Sequence, residues 1–209
     1  MITIVVRVWM PDRPGALGQV ASRIGAVRGD VLAIEVLEQG GGRAVDELTV
    51  ALPGDELLTL LTAEIDAVDG VSVESIRIVD PDRTDASLSA LALGAAIAEA
   101  PSAERMALMM RGIERFSETD WVVVLRQGLE IARIGEPPDA DWVTAFLAGS
   151  EHLDGVDDSA PSDLLWGHME RSSITVAAGR SANPIHERER VRFSLLLRLA
   201  DALLVLPAA

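Results

Sequence analysis

The sequence predicts an α+β chain of two small domains, the first in the order βαββαβ and the second in the order ααββαββα. Three observations carry this. Short β-branched runs alternate with stretches of 3.6-residue apolar periodicity along all 209 residues. The polar break Asp80-Pro81-Asp82-Arg83-Thr84-Asp85 divides the chain into residues 1–80 and 81–209. Finally, 49% of the residues are apolar, which is ample for a packed core in each part.

In the first part, Ile2 to Trp9 alternates as a strand, with Ile2, Ile4, Val6 and Val8 on one face. The breakers Met10-Pro11-Asp12-Arg13-Pro14-Gly15 follow as a turn. Pro14 suits the first turn of a helix, where its missing N–H costs nothing. Asp12 lies where a carboxylate can cap the free amides of that turn. Leu17, Val20, Ala21, Ile24 and Val27 then form one helical stripe, and Gly29 ends it. Val31 to Glu38 and Arg43 to Leu52 read as a hairpin turned at Gly40-Gly41-Gly42. That glycine run joins two strands rather than a strand and a helix, so it is a hairpin tip and not a phosphate loop. A second helix starts at Pro53-Gly54-Asp55 with Leu57, Leu58, Leu61, Ile65 and Val68 on one face, and Val71 to Val79 is the fourth strand. This is the ferredoxin-like split βαβ order.

The residues Val8-Trp9-Met10-Pro11-Asp12-Arg13-Pro14-Gly15-Ala16-Leu17-Gly18-Gln19-Val20 resemble the opening of an ACT domain, whose first strand leads into an Asp-x-Pro-Gly-x-Leu turn and helix. The resemblance spans residues 2 to 79 and implies a regulatory module that binds a small ligand, often an amino acid, between two paired domains. The ligand loop it implies falls on Asp12, Arg13, Pro14, Gly15, Ala16 and Leu17, with the edge of the second strand around Val31 to Ile34 as the second wall. The physics of the loop stands apart from the family. A glycine at a helix start lets a ligand approach the backbone, and free amides with the helix dipole favour its carboxylate. Asp12 or a nearby carbonyl would receive the ammonium group. On the opposite reading, Asp12 is a cap and Gly15 allows close packing.

In the second part, Ala86 to Ala100 and Ala103 to Phe116 read as helices, the latter with Met106, Met109, Met110 and Ile113 on one side. Trp121 to Arg126 and Leu129 to Ile134 form a hairpin at Gln127-Gly128. Asp139 opens a helix with Trp142, Val143, Phe146 and Leu147, and an acidic stretch from Gly149 to Pro161 reads as a loop. Asp163 to Arg171 and Ser173 to Ala178 are further strands, and Asn183-Pro184 starts a final helix ending near Leu204. That helix is expected to turn Val191, Leu195, Leu199 and Leu203 inward. By topology alone this half resembles the profilin-like group that includes GAF, PAS and roadblock domains, joined to the first part by a helical connector.

Composition excludes much chemistry. With a net charge of −15 and all 18 basic residues Arg, the chain offers no cationic surface for phosphates, so neither nucleic acid nor an anionic membrane is expected as partner. Without Cys there is no thiol nucleophile or thiolate zinc site, and without Lys no Schiff base or standard P-loop. Tyr is absent as well. Glu151-His152 with Asp154, Asp157 and Asp158 reads as a solvated acidic loop, since a calcium loop needs regular ligand spacing. His168 is a lone strand histidine unless Glu170, Ser172 or Ser173 pairs with it, and His186 to Arg190 reads as an exposed charged face. No targeting segment or membrane span is visible.

The expectation is therefore a cytoplasmic, non-catalytic regulatory homodimer that binds an amino-acid-like metabolite at the Asp12–Leu17 loop, with no cofactor and no metal. Two alternatives stay open. One is an enzyme whose active site lies in the second domain under control of the first, and the other is a ligand-free assembly module.

Overall fold

The computed structural model describes residues 1–82, 85–149 and 161–204. The chain divides into two compact units, Met1–Arg83 and Thr84–Ala209.

In the first unit, strand β1 (Ile2–Pro11) leads to helix α1 (Ala16–Ala26), then β2 (Asp30–Gly40) and β3 (Arg43–Leu52). A short 3-10 turn at Asp55–Leu57 precedes α2 (Leu58–Asp66), and β4 (Ser72–Val79) closes the unit. The antiparallel sheet has the order β2-β3-β1-β4, so the last strand returns beside the first. Alternation along β1 sends Ile4, Val6, Val8 and Met10 to the helix side, where they meet Val20, Ile24, Leu61 and Ile65. This is the ferredoxin-like βαββαβ fold that the ACT resemblance implies, and the predicted order of elements holds throughout. β1 runs two residues past Trp9 because Met10 and Pro11 still pair with Ala44 and Arg43 of β3. The opposite face carries charge: Glu47 accepts from Arg7 Nε at 2.8 Å and from Arg77 at 3.3 Å. All three register positions face away from the helices, so the alternation places them together.

The second unit begins with α3 (Ala86–Glu99) and α4 (Ser102–Ser117). The hairpin β5 (Trp121–Arg126) and β6 (Leu129–Ile134) turns at Gln127 and Gly128, both with positive φ as a tight hairpin requires. Helix α5 (Ala140–Gly149), strands β7 (Leu164–Met169) and β8 (Ile174–Gly179), and helix α6 (Glu187–Leu203) complete it. Its antiparallel sheet has the order β6-β5-β8-β7. Val122, Val124, Val176 and Ala178 pack with α4 and α6, whereas Val123, Leu125 and Ala177 pack with Val143 of α5. The sheet is therefore covered on both faces, which explains why β5 reads as an unbroken apolar run from Trp121 to Leu125. At Gly167, mid-strand in β7, an added Cβ would lie 2.6 Å from Leu197 Cδ1, so the glycine is what lets α6 sit close.

Two expectations about α6 are corrected. Its buried residues are Arg190, Phe193, Leu196, Leu197, Ala200 and Asp201, while Val191, Leu195 and Leu199 are exposed, Leu195 by 54%. Apolar residues occupy more than half of this helix's circumference, so periodicity fits two stripes equally well. The phenyl ring and the anchoring of Arg190 to the Leu164 and Pro161 carbonyls select between them. The second correction concerns residues 186–190, which are not an exposed face: His186 and Arg190 are buried, and Glu189 pairs with Arg180.

No helix among the described residues is long and apolar enough to cross a membrane. The acidic loop around Glu151-His152, Asp154, Asp157 and Asp158 lies outside the described residues.

Candidate functional site

The loop between β1 and α1 is held at one end by its backbone. The Asp12 amide donates to the Gly42 carbonyl at 2.9 Å, which ties the loop to the tip of the β2–β3 hairpin. Arg13 then turns back on Pro11, and the Ala16 amide donates to the Arg13 carbonyl at 3.2 Å. Gly15 is the N-cap residue, with φ at 89°, a conformation that a residue with a Cβ enters only under strain. No side chain caps the helix. Asp12, expected as a possible cap, therefore does not serve as one, and the amides of Leu17 and Gly18 at N2 and N3 point from an uncapped, positively polarised helix end. A Cβ placed on Gly15 would meet nothing within 4 Å, so nothing packs against that position.

The predicted site residues divide by position. Asp12, Arg13, Pro14 and Gly15 are exposed, and Leu17 is half-buried against the core. Ala16 points into the core and has its amide engaged by Arg13, so it offers a ligand neither group. On β2, Val31 stands opposite Val50, Ile34 opposite Leu48 and Val36 opposite Asp46. At about 3.3 Å per residue, the Val50 level lies roughly 13 Å along β3 from the Asp46 level. The wall nearest the loop within one chain is thus Ile34 and Val36, with 45% and 36% of their surface exposed.

Asp46 was not anticipated. It lies on β3 between Val8 of β1 and Val36 of β2, on the helix side of the sheet, where its alternate neighbours Ala44, Leu48, Val50 and Leu52 are all core residues. Asp46 is 4% exposed, and its Oδ1 has no hydrogen-bond partner. Burial pushes its carboxyl above the ordinary value, and the negative charge of Asp12 pushes it further the same way. The sequence did hold a signal for it: Asp46 breaks an inward-facing apolar run in β3.

A carboxyl whose folded pKa is raised destabilises the native state once pH exceeds the unfolded value, most fully above the folded one. Replacing Asp46 with Val should therefore stabilise the first unit by about 1–3 kcal/mol near neutral pH. The gain should shrink as pH falls toward the unfolded value of about 3.9. Denaturant melts at several pH values check this, and an Asp46→Val protein less stable than wild type at pH 7 would refute it.

In the second unit, His168 Nδ1 lies 3.1 Å from Thr175 Oγ1, and its Nε2 lies 3.9 Å from Glu170 Oε2. Both side chains stand on an exposed strand surface, at 51% and 89%. They approach one another but do not converge in a cleft. Among the described residues no group of three or more His, Asp or Glu side chains is placed to hold a metal.

No protein-family model matches the sequence, and no curated protein does. Solved structures similar to the chain include the ACT domain of GTP pyrophosphokinase from Chlorobium tepidum, with TM-score 0.30 and 18% identity over 37% of this chain and 97% of that one. An ACT domain protein from Streptococcus pneumoniae gives TM-score 0.32 and 16% identity, covering 37% of this chain and 89% of that one. A protein provisionally described as a glycine cleavage system transcriptional repressor gives TM-score 0.32 and 10% identity, covering 85% of this chain and 78% of that one. At such scores these likenesses add nothing to the element order and sheet order, which carry the fold by themselves.

Proposed function

We propose that the chain is a non-catalytic regulatory protein whose first unit binds a small amino-acid-like metabolite at the β1–α1 loop, in a cytoplasmic homodimer. The observation that carries this reading is the uncapped start of α1 at an open Gly15, on a loop whose Asp12 acts electrostatically on the buried carboxylate of Asp46, one oxygen of which lacks a hydrogen bond. An anion-attracting helix end next to an acid matches the two charged ends of an amino acid. Ile34 and Val36 supply an apolar wall for its side chain.

Pairing completes the site. β2 is an edge strand of 11 residues with Leu32, Ile34 and Val36 exposed, the kind of edge that another chain covers. If two copies join their β2 strands antiparallel about a two-fold axis near Ile34, the first half of the partner's strand comes alongside Val36. Val31 would then reach the site only from the partner. A ligand bound between the copies favours the paired arrangement by population shift. The rival reading of an enzyme in the second unit draws no support from His168 and Glu170, which are exposed.

A thermal-shift screen of the whole protein against the twenty amino acids tests the proposal. A ligand at one hundred times its Kd stabilises the native state by about 2.7 kcal/mol, enough to register. The control variant is Gly18→Glu rather than a change at Gly15. Any side chain at Gly15 costs about 1–2 kcal/mol through φ alone, so loss of binding there would be confounded with strain. At Gly18 a Cβ meets nothing within 4 Å, and the new carboxylate at N3 suits the helix dipole. Gly18→Glu should gain about 0.5–1 kcal/mol of stability and yet lose the ligand response, because its carboxylate turns back to the N-cap amide and repels the ligand's own carboxylate at the helix end. A response that survives in Gly18→Glu would sink the helix-end site.

A further inference from the structure

We propose that Asp46 is the group that takes the ligand's ammonium, so that the first unit selects primary amines and refuses carboxylic acids that lack one. This rests on the ligand-binding reading above and adds to it the orientation and chemical class of the ligand.

The argument starts from what surrounds the carboxylate. Along β3 the helix-facing positions are Ala44, Asp46, Leu48, Val50 and Leu52, and every member but one is a core hydrophobe. A carboxylate in that row, with one oxygen lacking any hydrogen bond, opposes folding. Stability does not account for it, so the residue has another use. Several cations of this unit are engaged elsewhere. Arg7 and Arg77 bind Glu47 on the other face of the sheet, Arg43 lies over the Trp9 ring at 5.4 Å, and Arg23 pairs with Glu64 at 3.0 Å. The charged group coupled to Asp46 is Asp12, a second carboxylate whose repulsion a bound cation would relieve.

The two acids and the helix end divide the work. The Leu17 and Gly18 amides attract an anion, and Asp46 with Asp12 at the rim attracts a cation. An α-amino acid presents both, so it would enter amine first toward Asp46 with its carboxylate turned to α1. Its side chain is left against Val36 and Ile34, which favours a short apolar body over a charged one.

The test uses the full chain, titrated calorimetrically with each L-amino acid that raises the melting temperature of the wild type. Each is compared with the amine lacking its carboxyl group and the acid lacking its amino group. The expected result is retained binding of the amine, weaker than that of the amino acid, and no binding of the acid. Asp46→Asn should weaken the amino acid about ten- to hundredfold while melting at or above the wild-type temperature. Undiminished affinity in Asp46→Asn, with binding still abolished in Gly18→Glu, would overturn the role of Asp46 and leave the site standing. Binding of the acid in preference to the amine would overturn it too. No wild-type response to any amino acid or amine would overturn the site itself, and the role of Asp46 with it.

Discussion

Arg180→Ala should destabilise the second unit by about 3–5 kcal/mol, the largest effect of any single change considered. Arg180 follows β8 and its side chain is 3% exposed. Its Nε donates to the Asn183 carbonyl at 2.8 Å, and its two terminal nitrogens reach the Ser117 and Pro184 carbonyls. Both terminal nitrogens also hold Glu189, at 2.9 and 2.8 Å, in a bidentate fork. One guanidinium thus joins the end of α4, the loop 180–184 and the first turn of α6. Truncation strips Glu189 of both contacts in a water-poor setting, which is far costlier than losing an exposed ion pair. Arg180→Lys keeps the charge but not the planar fork, and should recover only part of the loss. Chemical denaturation followed at the tryptophans, three of which lie in this unit, reads the effect. A loss below about 1 kcal/mol would show that the network is dispensable.

Asp201→Ala should cost the same unit about 3 kcal/mol. Near the end of α6, Asp201 accepts from the Arg171 and Ser172 amides, both at 2.9 Å, and from Ser172 Oγ at 2.7 Å. It thereby fastens the β7–β8 turn, where Ser173 holds a positive φ, to the terminal helix. Burial alone would push this carboxyl up. The Ser172 hydroxyl, the two amides and the charge of Arg171 outweigh it and hold the carboxyl below the ordinary value. The sign follows from that. A group whose folded pKa is depressed contributes stability above its unfolded value, about 3.9, and loses it as pH falls through the folded value. Asp201→Asn should therefore be less stable than wild type at pH 6 and converge on it in strong acid. Asp46 has the opposite slope, since its folded value is raised. A pH series on both variants separates the two, and parallel behaviour of Asp46→Asn and Asp201→Asn would contradict one of the two assignments.

Much of the fold was legible because short segments carry their own geometry. Alternation delimits β3, β5 and β6 to the residue, the Met109–Ile113 stripe identifies the buried side of α4, and Gln127-Gly128 marks a hairpin turn. The candidate site was half legible. The breakers before α1 announce a turn and a glycine at the helix start, and the structure adds that Gly15 is left-handed and that no side chain caps the helix. The second wall, read around Val31 to Ile34, carried no level in the sheet, because the pairing of β2 with β3 is shifted by bulges at Leu32 and Leu37. Nothing in an alternating pattern records an extra unpaired residue, and only the paired strands show that Val36 stands level with Asp46.

By itself, then, the sequence determined the order and kind of the elements and the chemistry that a chain without Lys, Cys or Tyr lacks. These depend on backbone preference, local spacing and composition, which act within a few residues. Only the tertiary structure decided which of two apolar stripes of α6 is buried, that Arg180 and Arg190 serve as internal anchors, and that Asp46 is a carboxylate without a partner. Periodicity states which residues share a face. Whether that face meets a hydrophobic neighbour, a carbonyl or a second acid depends on segments distant in the chain, and for Asp46 that difference turns an interrupted strand into a candidate receptor.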